Sequence, residues 1–307
     1  MGSEVSAANT VKLSEWGVGE RVEYAVTSMQ GWREAMEDAH ICRTELDSDT
    51  SLFAVLDGHG GKEAAVFVSR HFCQELTRNP HYLAKRFEKA LTETFLYMDI
   101  LMVKPEGLRE LYKIQQDIPD NYTVEEQRVE EMDNWAGTTA CVALLYGEEL
   151  YVANAGDSRC VLARAGRALD MSVDHKADLP SEQERVTKAG GFVKDGRVNG
   201  ILGVSRALGD FDLKTNPKCP LDGQVITSLP DIKKVKLTGL DAFLVLACDG
   251  IWDVLTSQHC VDYVNSRLEM NDSLQEISER VCDRCVAETV DDAAGTDNMT
   301  IILVRFK

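Results

Sequence analysis

Three apolar stretches follow one another with almost nothing between them: Thr138–Tyr146, Glu149–Ala155 and Cys160–Ala163 are separated only by Gly147-Glu148 and by Gly156-Asp157-Ser158-Arg159. Parallel neighbours need a crossover of about a dozen residues, so strands joined by turns this short are expected to be antiparallel. Further strand patterns lie at Val22–Met29, Leu52–Leu56, Ala242–Cys248 and Met299–Phe306. Helical periodicity is clearest at Lys62–Thr77, at Tyr82–Met98, where Leu83, Phe87, Leu91 and Phe95 recur every four residues, and in two helices after Ser257 and Asp272. Helices that arrive in consecutive pairs around antiparallel strands predict an α+β layered domain, a β-sandwich flanked by paired helices.

At 307 residues the chain is near the upper size for one hydrophobic core. Residues 1–20 read as an N-terminal extension and residues 21–307 as a single domain. Within it, Ser181 and Glu184 match a capping box and Gly190-Gly191 a stop, which predicts a short helix. Asp195–Gly223, rich in Gly, Asp and Lys, reads as a mobile flap rather than core, in a flap region of about 174–223. Leu101–Trp135 reads as a polar, acidic surface insertion.

Fifty-one acidic against 33 basic residues leave a net charge of −18, which repels phosphate backbones and argues against nucleic acid as a partner. No apolar run approaches the roughly 20 residues that span a bilayer, and no basic start with an apolar stretch marks a signal peptide. The sequons at Asn121 and Asn298 therefore carry no weight. Nine scattered cysteines, mostly inside apolar runs, suit reduced thiols and a cytoplasmic location, with the nucleus or a membrane face as further sites. Cys282 and Cys285 fall on a helical pattern and lack the second pair a zinc site needs. Met1-Gly2-Ser3-Glu4-Val5-Ser6 matches an N-myristoylation signal at Gly2, a single chain that would attach the protein weakly to membranes.

Aspartates recur where apolar strands stop. Leu52–Leu56 ends at Asp57-Gly58-His59-Gly60-Gly61, Phe243–Cys248 ends at Asp249-Gly250, Asp157 follows Tyr151–Ala155 by two residues, and Asp297-Asn298 precedes Met299–Val304. Any one Asp-Gly is ordinary turn chemistry, but strand ends of one sheet can converge on one rim. Converging carboxylates repel unless protonated or bridged by a cation, and oxygen ligands select Mg²⁺, Mn²⁺ or Ca²⁺ over zinc. Six dispersed histidines disfavour zinc further. Arg33, four residues before the Glu37-Asp38 pair, offers a planar fork suited to a phosphate dianion.

Taken together, the Arg33-to-Asp38 block, Asp57–Gly61, Ala136–Ala140, Gly156–Arg159, Asp174–Lys176, Ser205–Asp210, Asp249–Asp253 and Asp297–Thr300 resemble the ordered motifs of the type 2C metal-dependent protein phosphatases, the PPM family. The resemblance runs from about Tyr24 to Phe306. It implies a four-layer αββα sandwich with two Mg²⁺ or Mn²⁺ ions at one end, and hydrolysis of phosphoserine or phosphothreonine in proteins by a water activated between the ions. By the family pattern Asp57 bridges both ions, Asp249 and Asp297 complete one, and Glu37 and the Gly58 carbonyl serve the other. Arg33 would bind phosphate, His59 would act as general acid, and Asp38 would support the water network. Asp157, Asp249 and Asp253 match positions that hold a weaker third ion. The implied partners are phosphorylated proteins, met by a monomer.

Two departures stand out: Ala177 follows Asp174-His175-Lys176 where the family usually has proline, and the 101–135 stretch is longer than usual. A cysteine-based mechanism fits poorly, because six residues separate Cys260 from Arg267 and no glycine bends the segment. An aspartyl-phosphate route lacks support too, since Asp47-Ser48-Asp49 sits in a polar turn. The remaining alternative is a silent, phosphatase-like scaffold, against which intact ligand positions argue.

Overall fold

Successive side chains of a strand face opposite sides of its sheet, and here both sides are apolar. In the computed structural model, which describes residues 7–130, 136–292 and 294–307, Asp241–Ala247 sends Leu244 and Leu246 into one buried cluster and Phe243, Val245 and Ala247 into another. Two antiparallel sheets are built this way. One runs β1 (Asn9–Val18), β2 (Val22–Gly31), β11 (Met299–Phe306), β10 (Asp241–Ala247), β7 (Arg159–Arg164) and β8 (Arg167–Asp170). The other runs β9 (Asp231–Lys236), β6 (Glu149–Ala155), β5 (Ala140–Tyr146), β4 (Thr50–Leu56) and β3 (Ala39–Arg43).

Val26, Phe53, Val55, Val152, Leu162, Leu244 and Ile302 fill the space between the sheets. The outer face of the β4–β5 sheet is covered by α1 (Glu63–Arg78), α2 (Phe87–Met102) and α3 (Pro105–Gln115), with Phe72 edge-on to Phe95 at 5.4 Å. Helices α5 (Ser257–Glu269) and α6 (Leu274–Cys285) cover the β10–β11 sheet. Each buried large apolar side chain contributes about 1.5–3 kcal/mol, which is why both faces of these strands are worth covering. The expected αββα layering is what forms.

Several expectations are corrected. The N-terminal extension contains the edge strand Asn9–Val18, which the sequence pattern does not mark because Val11, Leu13, Trp16 and Val18 stay exposed and the side chains that meet α6 are the polar Lys12 and Ser14. The turn after β6 does not make a hairpin: β6 pairs with β5 and β9, β7 with β10 and β8, so Gly156-Asp157-Ser158 carries the chain from one sheet to the other. The expected helix Tyr82–Met98 is broken after the short turn Pro80–Leu83 by Lys85 in the left-handed region (φ 56°), and Leu83 is exposed while Phe87, Leu91 and Phe95 are buried.

The acidic insertion is part of the helical layer, since α3 buries Leu111 and Ile114; Trp135 lies outside the described residues, as does Gly2. The short helix α4 (Pro180–Lys188) begins two residues earlier than the capping box predicts, with Leu179 at its N-cap and no side-chain cap, while Glu184 pairs with Lys188 instead of closing a capping box. The flap is not devoid of core, because Ala177, Val186, Val198, Ala207 and Ile226 close a small cluster of their own. Cys260, Cys282 and Cys285 are buried free thiols on α5 and α6, in keeping with packing roles. Among the described residues no helix is long and apolar enough to cross a membrane.

Candidate active site

Antiparallel pairing brings the candidate residues together. Ala247 lies opposite Ile301 and Arg159, Met29 opposite Met299, Leu56 opposite Ala39, Val55 opposite Cys141 and Ala140 opposite Ala155. The ends of β2, β4, β6 and β10 and the starts of β3, β5, β7 and β11 therefore share one rim. Every acidic position singled out by strand ends sits on that rim. Asp57, Asp157 and Asp249 offer oxygens that all lie within 4.8 Å of one another.

Arg33, Glu37, Asp57, Gly58, His59, Asp157, Asp249 and Asp297 line one cleft of about 620 Å³. Asp38 does not line the cleft but offers an oxygen within 4.8 Å of Asp57; it takes a hydrogen bond from Thr300 Oγ1 at 2.6 Å on one oxygen while the other has no partner among the described residues. Asp253 lies one helical turn from Asp249, its backbone N–H donating to the Asp249 carbonyl at 2.8 Å, as the spacing of the two acids predicts.

Burial and mutual repulsion dominate the charges. Burial first, then Asp38, Asp249 and Asp157, holds the Asp57 carboxyl well above the usual range. Burial, with Asp157, Asp297 and Asp253, pushes Asp249 up to about 8 despite Lys176 nearby. Asp38 rises to about 7, mainly from burial, and Glu37 and Asp253 are raised for the same reason. Two carboxylates do meet cations: Asp297 takes Arg33 at 2.5 Å and Asp157 takes Lys176 at 2.5 Å. The others have carboxylates rather than cations for neighbours, and an all-oxygen donor set with one buried carboxylate oxygen unmatched is chemistry that suits a hard cation. Cys248, close to Asp38 and Asp57, is no competing ligand: burial drives its thiol pKa far up, and its sulfur lies 3.1 Å from the Thr300 N–H.

Sequence reasoning missed three contributors. Asn298 stitches the Arg33–Glu37 loop to the start of β11, accepting from the Glu37 N–H at 2.9 Å and donating to the Gln30 and Ala35 carbonyls. Close approach there needs Gly31, whose φ is 65° and whose Cβ would overlap the Asp297 carbonyl. Lys176 offsets Asp157, and Asp210 receives His59 Nε2 at 2.9 Å on both oxygens. Burial alone would lower the His59 pKa; the Asp210 carboxylate, with Asp157 and Glu37 behind it, more than reverses this and raises it. Asn298, Lys176 and Asp210 all lie inside family-like motifs, but nothing local in the sequence marks their partners.

The protein phosphatase 2C family model matches residues 22–294. Probable protein phosphatase 2C 6 of Paramecium tetraurelia is 46% identical over 307 residues, covering all of both chains. Probable protein phosphatase 2C 58 of Oryza sativa subsp. japonica is 42% identical over 330 residues, spanning all of this chain and 90% of that protein. The solved structure of serine-threonine phosphatase 2C from Toxoplasma gondii overlays with a TM-score of 0.71 at 20% identity, covering 97% of this chain and 99% of the other, and so attests the fold. With an acidic rim suited to hard cations and relatives aligned from end to end, this chain belongs to the protein phosphatase 2C family.

Proposed function

We propose that the cleft hydrolyses phosphoserine and phosphothreonine in proteins with Mg²⁺ or Mn²⁺, and the observation that carries this is the convergence of Asp57, Asp157 and Asp249 in a cleft that Arg33 and His59 also line. Asp57 would serve two ions, Asp249 and Asp297 completing one, Glu37 and the Gly58 carbonyl the other; Asp157, Asp249 and Asp253 suit a weaker third. When bound, such ions make hydroxide accessible near neutral pH and neutralise charge on phosphoryl oxygens.

The chain's own groups do the rest. Arg33 can exchange Asp297 for two phosphoryl oxygens, a bidentate contact that orients the dianion. His59 gives a proton to the departing serine or threonine oxygen, which is a very poor leaving group as an alkoxide. Asp38, anchored by Thr300, keeps one buried oxygen for the water network. Arg197, Leu202, Gly203 and Val204 of the flap form one wall, where residues flanking the phosphorylated side chain would rest. The same reading takes the protein as a cytoplasmic monomer with at most weak membrane attachment through Gly2.

The test is phosphate release from a phosphothreonine peptide with excess chelator and after adding back each metal. Activity that survives chelation would overturn the reading. Recovery with Mg²⁺ or Mn²⁺ but not Zn²⁺ is the expected result.

A further inference from the structure

Three two-residue bridge segments lie side by side above the rim: Gly58-His59 pairs with Gly137-Thr138, which pairs in turn with Leu208-Gly209. His59 lies opposite Gly137 and Gly137 opposite Gly209, so Asp210 follows directly on the far segment. Neighbouring strands are about 4.8 Å apart, so side chains two strands away meet only if the strand between presents nothing. Gly137 is that gap. A Cβ there would overlap the Asp210 carboxylate and lie 2.5 Å from His59 Nε2.

Asp210 is held in place from behind. Its backbone is left-handed, φ 51° and ψ 45°, a conformation that a non-glycine residue keeps only when its surroundings impose it. Asp99, buried on α2, accepts the Gly209 N–H at 2.9 Å and the Lys214 ammonium at 2.6 Å, and Lys214 also donates to the Ala207 carbonyl at 2.8 Å. The Asp210 N–H donates to the Ala136 carbonyl at 3.2 Å. An ion pair with side chains 4% and 6% exposed thus locks the turn that carries a carboxylate which is itself 6% exposed.

We propose that Asp210 is the positioning residue of His59: it holds the Nε2 proton and the ring plane, so that the Nδ1 proton is the one delivered to the leaving oxygen. As the oxygen of the attacking water bonds to phosphorus, the bond from phosphorus to the serine or threonine oxygen breaks, its electron pair stays on that oxygen, and the oxygen takes the Nδ1 proton, leaving phosphate and neutral imidazole hydrogen-bonded to Asp210. This deepens the reading above and rests on His59 as the acid. It also explains why a buried ion pair on the flap and α2 sits outside the acidic cluster yet beside the site.

Kinetics on two substrates test it, one with a threonine leaving group and one with nitrophenolate, which hardly needs a proton. His59→Gln should slow the phosphopeptide about 10²-fold and nitrophenyl phosphate far less, the signature of a lost general acid. Asp210→Asn should show the same selectivity at smaller size, about 10-fold on the peptide and under about threefold on nitrophenyl phosphate, with melting temperature and metal titration unchanged. Gly137→Ala, which keeps both side chains but wedges them apart, should copy Asp210→Asn and serves if that variant folds poorly. Equal losses on both substrates for Asp210→Asn and Gly137→Ala, or no loss on the peptide, overturn the assignment while a selective His59→Gln leaves the acid role standing. A non-selective His59→Gln overturns the acid role and the assignment with it.

Discussion

Two buried carboxylate sites, Asp57 at the rim and Glu182 on α4 of the flap, meet the same desolvation penalty and answer it in opposite ways. Glu182 takes hydrogen bonds from Arg206 at 2.6 Å, Ser205 at 2.7 Å and Arg185 at 2.8 Å. Burial pushes its pKa up, but the two guanidiniums and the hydroxyl outweigh this and hold it down at about 2. Asp57 has carboxylates for neighbours instead, and its pKa is driven upward. A carboxylate with its cations built in is finished structure, whereas one surrounded by its own kind is a site waiting for a cation.

Breaking the comparison at the rim should have the largest effect. Asp57→Asn should lower turnover on a phosphopeptide by on the order of 10³-fold, because on the proposed assignment it would serve both ions, while leaving the metal-free melting temperature equal or higher. Steady-state kinetics with a parallel melt would check both halves.

Breaking it in the flap should do the reverse. Glu182→Gln removes the carboxylate that two guanidiniums share and should cost about 3 kcal/mol, roughly 5 °C in melting temperature for a chain of this size, with turnover per folded molecule retained. Calorimetry beside active-site-normalised kinetics would show it.

The two sites should also respond to pH with opposite signs in the chelated protein. Glu182 titrates lower folded than unfolded, so its contribution is complete above about pH 4.5 and is lost as pH falls toward 2, on the order of 2 kcal/mol once solvent screening is allowed for. Asp249, raised to about 8, binds its proton more tightly in the folded state, so the metal-free protein gains stability as pH falls from about 8 toward 4. Saturating metal should reverse that upper limb, because ligation requires the deprotonated form. Melts across pH with chelator and with Mg²⁺ measure both; an upper limb unmoved by metal would contradict the contrast.

Smaller effects sharpen the picture. Arg33→Ala should raise KM about 10-fold, the value of one charge-assisted bidentate contact, without weakening metal binding, since Arg33 competes for Asp297. Metal titration of that variant separates a phosphate ligand from a structural cation. Asp253→Ala should be the mildest, a few-fold loss confined to high metal concentration, because on the proposed assignment it would serve only the weakest ion.

How much of this was legible follows from where the constraint lies. Leu52–Leu56 and Phe243–Cys248 are buried on both faces, so their apolar runs are unbroken and the acids that end them stand out. β1 mixes apolar and polar residues: its apolar side chains Val11, Leu13, Trp16 and Val18 are exposed, while the side chains that meet α6 are Lys12 and Ser14, paired with Asp283 and Glu279, so its pattern says little. β9, at a sheet edge, half-buries only Ile232 and Val235 among exposed charges, with no alternation, and is equally quiet. Leu111 and Ile114 are too few to announce α3 among so many charges, although they bury against α1 and α2.

By itself the sequence determined the layers, the strand ends that carry acids, and the motifs of the family, because burial pattern and turn chemistry act over a few residues. Only the tertiary structure decided which acids share oxygens within 4.8 Å, that Arg33 rests on Asp297, and that His59 is gripped by Asp210, 151 residues away. Such pairings depend on strand register and on a glycine with no side chain in between. Neither leaves a mark on the residues that meet, since a carboxylate at a turn looks the same in sequence whether water or a histidine will face it.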